Sequence, residues 1–216
     1  MSGFELVFEN EIRIYRSVLG VLQTNCYLLV NPAIRHAVVV DPGDEGGEIK
    51  AFCQKEQWEI ESIWLTHGHY DHICGLDGLR TRGVPPVLMH EADAAMLTDA
   101  HQNLSVFLGI HYQTTAPEFT VKSDVHRTFI GQDVSILHTP GHTPGGICFY
   151  MGNVLISGDT LFRFSVGRTD FPRGNTDQLM ESIYKKLLIL PDETMVFPGH
   201  GRPTTIGEEK TGNPYL

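Results

Sequence analysis

Apolar residues in this chain come in short blocks, each cut off by glycine, proline, asparagine or aspartate. That rhythm predicts strands more often than helices. In the amino-terminal part, strands are predicted over residues 12–17, 26–30 and 37–40. Gly20, Asn25, Asn31 and Pro32 supply the turns, and Asp41-Pro42-Gly43 stops the third strand. Residues 47–58 place Ile49, Phe52 and Cys53 at helical spacing, and residues 60–65, with Ile63, Trp64 and Leu65, read as a buried strand. A helix over 73–82, a short strand over 87–89 after Pro85 and Pro86, and an alanine-rich helix over 91–100 follow, whereas 103–122 carries no clear period. Strands return over 134–137, 146–150, 154–156 and 195–197. Between the last two lies a helix over 176–190, with Leu179, Ile183, Leu187 and Leu190 on one face, Thr176 able to cap it and Pro191 beyond its end. Strand runs with helices between them and at both ends suggest an α/β fold of two sheets packed face to face with helices outside. Periodicity leaves other layerings open.

At 216 residues and 41% hydrophobic content the chain can bury a sizeable core, and no linker divides it, so a single domain over 1–216 is expected. Cys26, Cys53, Cys74 and Cys148 are widely spaced without a Cys-x-x-Cys pair, which points away from a disulfide scaffold and toward reduced thiols in a cytoplasmic protein. The first ten residues contain Glu5 and Glu9 and lack the basic start and apolar run of a secretory signal; nowhere do eighteen apolar residues run together, so no membrane partner is expected. A formal charge of −10 opposes nucleic-acid binding. Nothing in the composition specifies an oligomeric state.

The chemistry is concentrated in Thr66-His67-Gly68-His69-Tyr70-Asp71-His72, which follows the strand at 60–65 and packs four metal-competent side chains into six residues. In an extended loop His67 and His69 can aim at one point, which a helix would not allow. Three further places repeat one arrangement, a strand that runs out into glycine and a metal-competent side chain: Thr139-Pro140-Gly141-His142, Ser157-Gly158-Asp159 and Pro198-Gly199-His200. Seven candidate ligands are too many for one zinc and suit two, if one carboxylate bridges. Imidazole and carboxylate donors without cysteine make zinc the default and also suit iron or manganese. The remaining histidines, His36, His90, His101, His111, His126 and His138, belong to no such motif and are expected in ordinary structural roles.

The His-x-His-x-Asp-His run, Pro140-Gly141-His142-Thr143-Pro144-Gly145, Ser157-Gly158-Asp159 and Pro198-Gly199-His200 together resemble the metallo-beta-lactamase fold superfamily. Within it they are similar to short glyoxalase II-like (hydroxyacylglutathione hydrolase) proteins, over residues 38–205. The resemblance implies a four-layer alpha-beta-beta-alpha sandwich with metals at one edge of the sheets. It assigns His67, His69 and His142 to one divalent ion and Asp71, His72 and His200 to the other, with Asp159 bridging. Asp41 would stand behind the ligands and orient an imidazole; as part of Asp-Pro-Gly it could equally be a turn cap. The implied activity is hydrolysis of a small-molecule thioester, S-lactoylglutathione to lactate and glutathione or a related acyl thioester, with Asp71 as catalytic residue orienting a water made acidic by the ions. A thiol leaves without a general acid, whereas an amide nitrogen needs one.

Longer glyoxalase II enzymes continue into a helical carboxy-terminal region that grips glutathione, and the sixteen residues after His200 are too few for it. Arg168 resembles the basic residue those enzymes present to substrate. The Gly167-Arg168-Thr169-Asp170-Phe171 run also resembles persulfide dioxygenases, which would use one iron on His67, His142 and Asp159, but Val166 replaces the cysteine of that family's loop. Zinc lactamases that place cysteine at the position of Asp159 are resembled less closely. A phosphodiesterase acting on tRNA shares the first motif, but the acidic net charge and missing basic arm of this chain argue against it. A metal-stabilised binding module without turnover is the non-enzymatic alternative.

Overall fold

A computed structural model describes residues 3–216. Met1 and Ser2, the first positions of the segment read above for a signal, lie outside the described residues. The first sheet is built in chain order from β1 (Glu5–Glu9), β2 (Arg13–Leu19), β3 (Thr24–Asn31), β4 (His36–Val40), β5 (Glu59–Trp64), β6 (Val87–His90) and β7 (Phe119–Val121). Pairing is antiparallel from β1 to β4 and parallel from β4 to β7. The second sheet uses β8 (Val125–Phe129), β9 (Gln132–His138), β10 (Ile147–Met151) and β11 (Val154–Gly158). The hairpin of β12 (Leu161–Phe162) and β13 (Ser165–Val166) intervenes before β14 (Met195–Pro198) and β15 (Thr204–Thr205) complete it in the order β15-β14-β11-β10-β9-β8.

Alternation along the central strands explains the layering. In β3, Tyr27 and Leu29 face the second sheet while Cys26, Leu28 and Val30 face outward, and both sets are fully buried. A strand buried on both faces reads as a continuous apolar run. The inter-sheet core joins Ile14, Val38, Val40 and Trp64 to Ile136, Phe149, Ile156 and Phe197, with the Trp64 and Phe149 rings stacked at 4.6 Å. Outside the first sheet pack α1 (Gly46–Lys55), α2 (Tyr70–Ile73) and α3 (Leu76–Leu79), through Ile49, Cys53, Ile73, Leu76 and Leu79. Outside the second pack α4 (Thr176–Ser182) and α5 (Ile206–Gly212), through Leu179 and Ile206. The four-layer alpha-beta-beta-alpha sandwich is therefore the fold.

Several element boundaries differ from the sequence expectation. The helix expected over 73–82 is two short helices, α2 and α3, hinged at Gly75. The Gly75 amide donates to the Pro42 carbonyl at 2.8 Å, and a Cβ there would stand 2.7 Å from the carbonyl oxygens of Pro42 and Asp44. The alanine-rich stretch is a 3-10 helix, Glu91–Thr98, capped by the His90 imidazole, which accepts from the Ala92 amide at 3.2 Å. The helix expected over 176–190 is α-helical only through Ser182 and continues as a π turn, Ile183–Leu187. Its cap is Asn175 rather than Thr176, whose hydroxyl instead meets that of Thr169 at 2.7 Å.

Candidate metal centre

Each expected ligand sits where a strand of the paired sheets gives out. β5 ends at Trp64 and releases His67 and His69; α2 presents Asp71 and His72; β11 ends in Gly158 before Asp159; β14 ends at Pro198 before His200; and His142 lies in the loop between β9 and β10. Gly199 is required for this closeness, since a Cβ there would strike the Asp159 carboxylate and stand 2.8 Å from the His72 ring.

The seven side chains converge in three overlapping sets, His67-His69-His142, His67-His72-Asp159 and Asp71-His72-His200, each with donor atoms within 4.8 Å of one another. Asp159 lies between the sets: its Oδ1 is 3.5 Å from His72 Nε2, and its Oδ2 is 3.6 Å from both His142 Nε2 and His200 Nε2. On the other side, Asp71 Oδ2 is 3.2 Å from His200 Nε2 and 3.5 Å from His72 Nε2.

The outer nitrogens of the rings explain why the inner ones face inward. Asp41, buried at the end of β4, accepts from the Thr66 amide at 2.8 Å, the Thr66 hydroxyl at 2.6 Å and His72 Nδ1 at 2.9 Å. Because the Thr66 hydroxyl donates to Asp41, its oxygen accepts from His67 Nδ1 at 3.1 Å. His142 Nδ1 donates to the Arg168 carbonyl at 2.7 Å, and His200 Nδ1 to the Gln23 carbonyl at 3.3 Å. Carboxylate and carbonyl oxygens can only accept, so in these rings Nδ1 carries a proton and Nε2 is the nitrogen that faces the cluster. His69 is turned the other way, with Nδ1 2.9 Å from His142 Nε2.

Electrostatics follows from burial and from the three carboxylates. Burial drives His67 and His69 well below the ordinary histidine value, and the neighbouring imidazoles add to the fall. Burial acts the same way on His72, yet Asp71, Asp159 and Asp41 outweigh it and push that ring up to about 10. Burial would raise the Asp71 carboxyl, but His72, His200 and the Thr24 hydroxyl hold it well below the usual carboxylate range.

The donor set fits divalent cations. His67 Nε2, His72 Nε2 and Asp159 Oδ1 are buried without a hydrogen-bond partner among the described residues, an arrangement too costly to leave uncompensated unless something else binds them. All donors are imidazole or carboxylate, and the four cysteines are free and take no part in the donor sets.

Sequence reading did not identify the residues that fasten these loops. Thr24 donates to Asp71 at 2.9 Å, Asn25 donates to the Pro198 and Gly201 carbonyls at 2.9 and 3.0 Å, and the Tyr27 hydroxyl donates to Pro198 at 2.7 Å. Asp93, fully buried, accepts from the Thr143 hydroxyl and the Gly145 amide, each at 2.7 Å, and so holds the His142 loop. The signal was present as polar residues at the start of an apolar strand and inside an alanine-rich stretch. Among the histidines outside the motifs, His90 and His138 stack at 3.9 Å, and the His138 ring meets the Pro144 carbonyl at 2.9 Å, both structural roles. Arg168 reaches the site through its carbonyl; its guanidinium makes two 2.7 Å bonds to Asp170 and lies 4.0 Å over the Phe171 ring.

Comparison with known proteins places the chain among relatives. Hydroxyacylglutathione hydrolase GloC of Haemophilus influenzae is 35% identical over 199 residues, covering 90% of this chain and 93% of that protein. The BLEG-1 B3 metallo-beta-lactamase superposes with a TM-score of 0.89 at 37% identity, covering 94% of this chain and 99% of the other. TTHA1623, solved in a di-iron-bound form, superposes with a TM-score of 0.78 at 36% identity, covering 92% and 98%. The family profile described as Metallo-beta-lactamase superfamily matches residues 19–200, so the chain belongs to the metallo-beta-lactamase superfamily.

Proposed function

We propose that this chain is a dinuclear metallohydrolase of acyl thioesters, with His67, His69 and His142 holding one divalent ion, Asp71, His72 and His200 the other, and Asp159 shared. The observation that carries the reading is the position of Asp159 between two donor sets, its Oδ1 toward His72 and its Oδ2 toward both His142 and His200. The di-iron form of TTHA1623 supports a two-ion site and admits iron beside zinc and manganese. The name of the GloC relative supports hydroxyacylglutathione as a substrate type.

Bound cations would supply Lewis acidity and bring the pKa of water down toward about 7. The chain's own groups do the positioning. Asp71, ionised and fixed by Thr24, accepts a hydrogen bond from the attacking water and sets its direction toward the cavity. Asp41 keeps His72 and, through Thr66, His67 in the ligand tautomer. In the net reaction the water oxygen bonds to the acyl carbon, the C–S bond breaks, and the departing sulfur leaves as thiolate or takes the remaining proton.

The choice of thioester over amide rests on the leaving group. A thiol of pKa about 8.5 departs without an acid. Tyr70, the phenol in the cavity wall, is pushed up to about 12 by burial and by Cys74 and is a poor proton donor to an amine. The likeness to BLEG-1 makes a β-lactam the second substrate to try.

The test is an assay of the purified, metal-loaded chain against S-lactoylglutathione and other acyl thioesters, a chromogenic β-lactam, and glutathione persulfide with oxygen uptake recorded. Thioester loss without oxygen uptake is expected. Oxygen consumption with no thioester turnover would replace the hydrolase with a persulfide dioxygenase, and inactivity on every substrate would leave a metal-binding module. The proposed partner is thus a small-molecule thioester, with no nucleic acid or membrane; among the described residues no helix is long and apolar enough to cross a membrane.

A further inference from the structure

The ligand cluster opens into a cavity of about 520 Å³, within the range of small-molecule sites, roughly 300–1,000 Å³. Its wall away from the ligands is formed by Leu22, Leu104, Phe107, Leu108, Phe162 and Phe171. Phe107 is 71% exposed and Leu22 and Leu108 are each 45% exposed, so the mouth presents apolar surface to water beside a charged centre. Scattered exposed apolar residues need no explanation, but a contiguous set facing one cavity does.

This wall is held in place. Phe107 and Leu108 ride on a short 3-10 turn, Ser105–Leu108, with Leu104 at φ 68° and Gly109 at φ 73° at its two ends. The left-handed conformation of Leu104 is costly for a leucine and persists because Asn103 fixes the turn. Asn103, fully buried, donates to the Met96 and Tyr112 carbonyls at 3.0 Å and accepts from the Ser105 amide at 3.0 Å, while its own carbonyl accepts from the Tyr70 amide at 2.8 Å. The last bond ties the apolar turn directly to the loop that carries Asp71.

Charge points the same way. Among the described residues Arg168 is the only lysine or arginine in the cavity wall, and its guanidinium is paired with Asp170 through Nε and Nη2. A glutathione moiety, with two carboxylates and one ammonium, therefore meets here a single arginine, already ion-paired, on a chain whose formal charge is −10. Resting on the thioesterase reading, we infer that the cavity selects thioesters bearing an apolar chain, seated on Leu104, Phe107 and Leu108 with the scissile carbonyl at the ligand cluster.

The experiment uses the metal-loaded full chain and thioesters of the neutral thiol N-acetylcysteamine with acetyl, butanoyl and octanoyl groups. S-octyl thioacetate, which places the chain on the thiol side, and S-lactoylglutathione complete the set. On whichever side the chain belongs, kcat/KM should climb by roughly three- to fourfold per methylene until the wall is covered. The octanoyl or octyl ester should exceed S-lactoylglutathione. In Phe107→Ser/Leu108→Ser the long-to-short ratio should fall at least about tenfold, and Phe107→Leu should restore most of it. Calorimetry on the metal-free chain gives a second readout, with the long-chain ester binding and the acetyl ester not. Equal rates across chain length, or S-lactoylglutathione as the best substrate, would overturn the inference and leave the thioesterase standing. Turnover of no thioester at all would remove both.

Discussion

Asp71→Ala is expected to lose about 10²–10³-fold in kcat/KM for thioester hydrolysis, the order lost when a preorganised contact to the reacting atoms is removed. Asp71 faces the cavity and lies beside the second donor set, 3.5 Å from His72 Nε2 and 3.2 Å from His200 Nε2. The fold should survive. The side chain sits in the single turn of α2, contributes nothing to the apolar clusters, and the hydrogen bond from Thr24 to its ionised carboxylate is worth about 1.5–3 kcal/mol. Circular dichroism of the metal-free variant should match the parent, with a thermal midpoint within about ten degrees. Turnover at the parental rate in a folded variant would remove the role assigned to this carboxylate.

Asp41→Asn is expected to weaken cation binding by about 10–100-fold, the usual cost of losing a group that orients metal ligands. One carboxylate oxygen of Asp41 serves both the Thr66 hydroxyl and His72 Nδ1, and an amide nitrogen in its place could accept from neither. Two ligands, His72 directly and His67 through Thr66, would lose their fixed orientation together. Asparagine tolerates the φ of 48° found at this position, so the backbone is spared and the change isolates the carboxylate. Competition against a chromophoric chelator reads the affinity. Parental affinity would mean that Asp41 serves only the turn.

How much of this was legible in the sequence depends on where each signal sits. The central strands were readable because burial on both faces writes continuous apolar runs, as in β3 and β4. β1, β7 and β8 were not, since all three lie at sheet edges and carry largely exposed side chains that need not be apolar. The break at Gly75 was hidden because it is imposed from outside, by backbone of the Asp41-Pro42-Gly43 turn pressing on the glycine. Local periodicity cannot report a tertiary contact. The ligands, by contrast, each follow a strand end and carry their glycines with them, so the convergence of residues 67–72, 142, 159 and 200 could be anticipated from order and spacing. The residues behind them could not: Thr24, Asn25 and Asp93 act across sequence separations of 47, 173 and 50 residues, and a polar residue at a strand start or among alanines does not say what it will hold. Asp41 stood between two readings, and its bonds to Thr66 and His72 show that it buttresses the ligands as well as shaping the turn.

The cage of seven donors around two cations is tested most directly by elemental analysis of the purified chain after loading with zinc, iron or manganese and removal of excess. About two ions per chain are expected, falling to one or fewer in Asp159→Ala, because that side chain alone faces both donor sets. One ion per parental chain, or the same content with and without Asp159, would contradict the account.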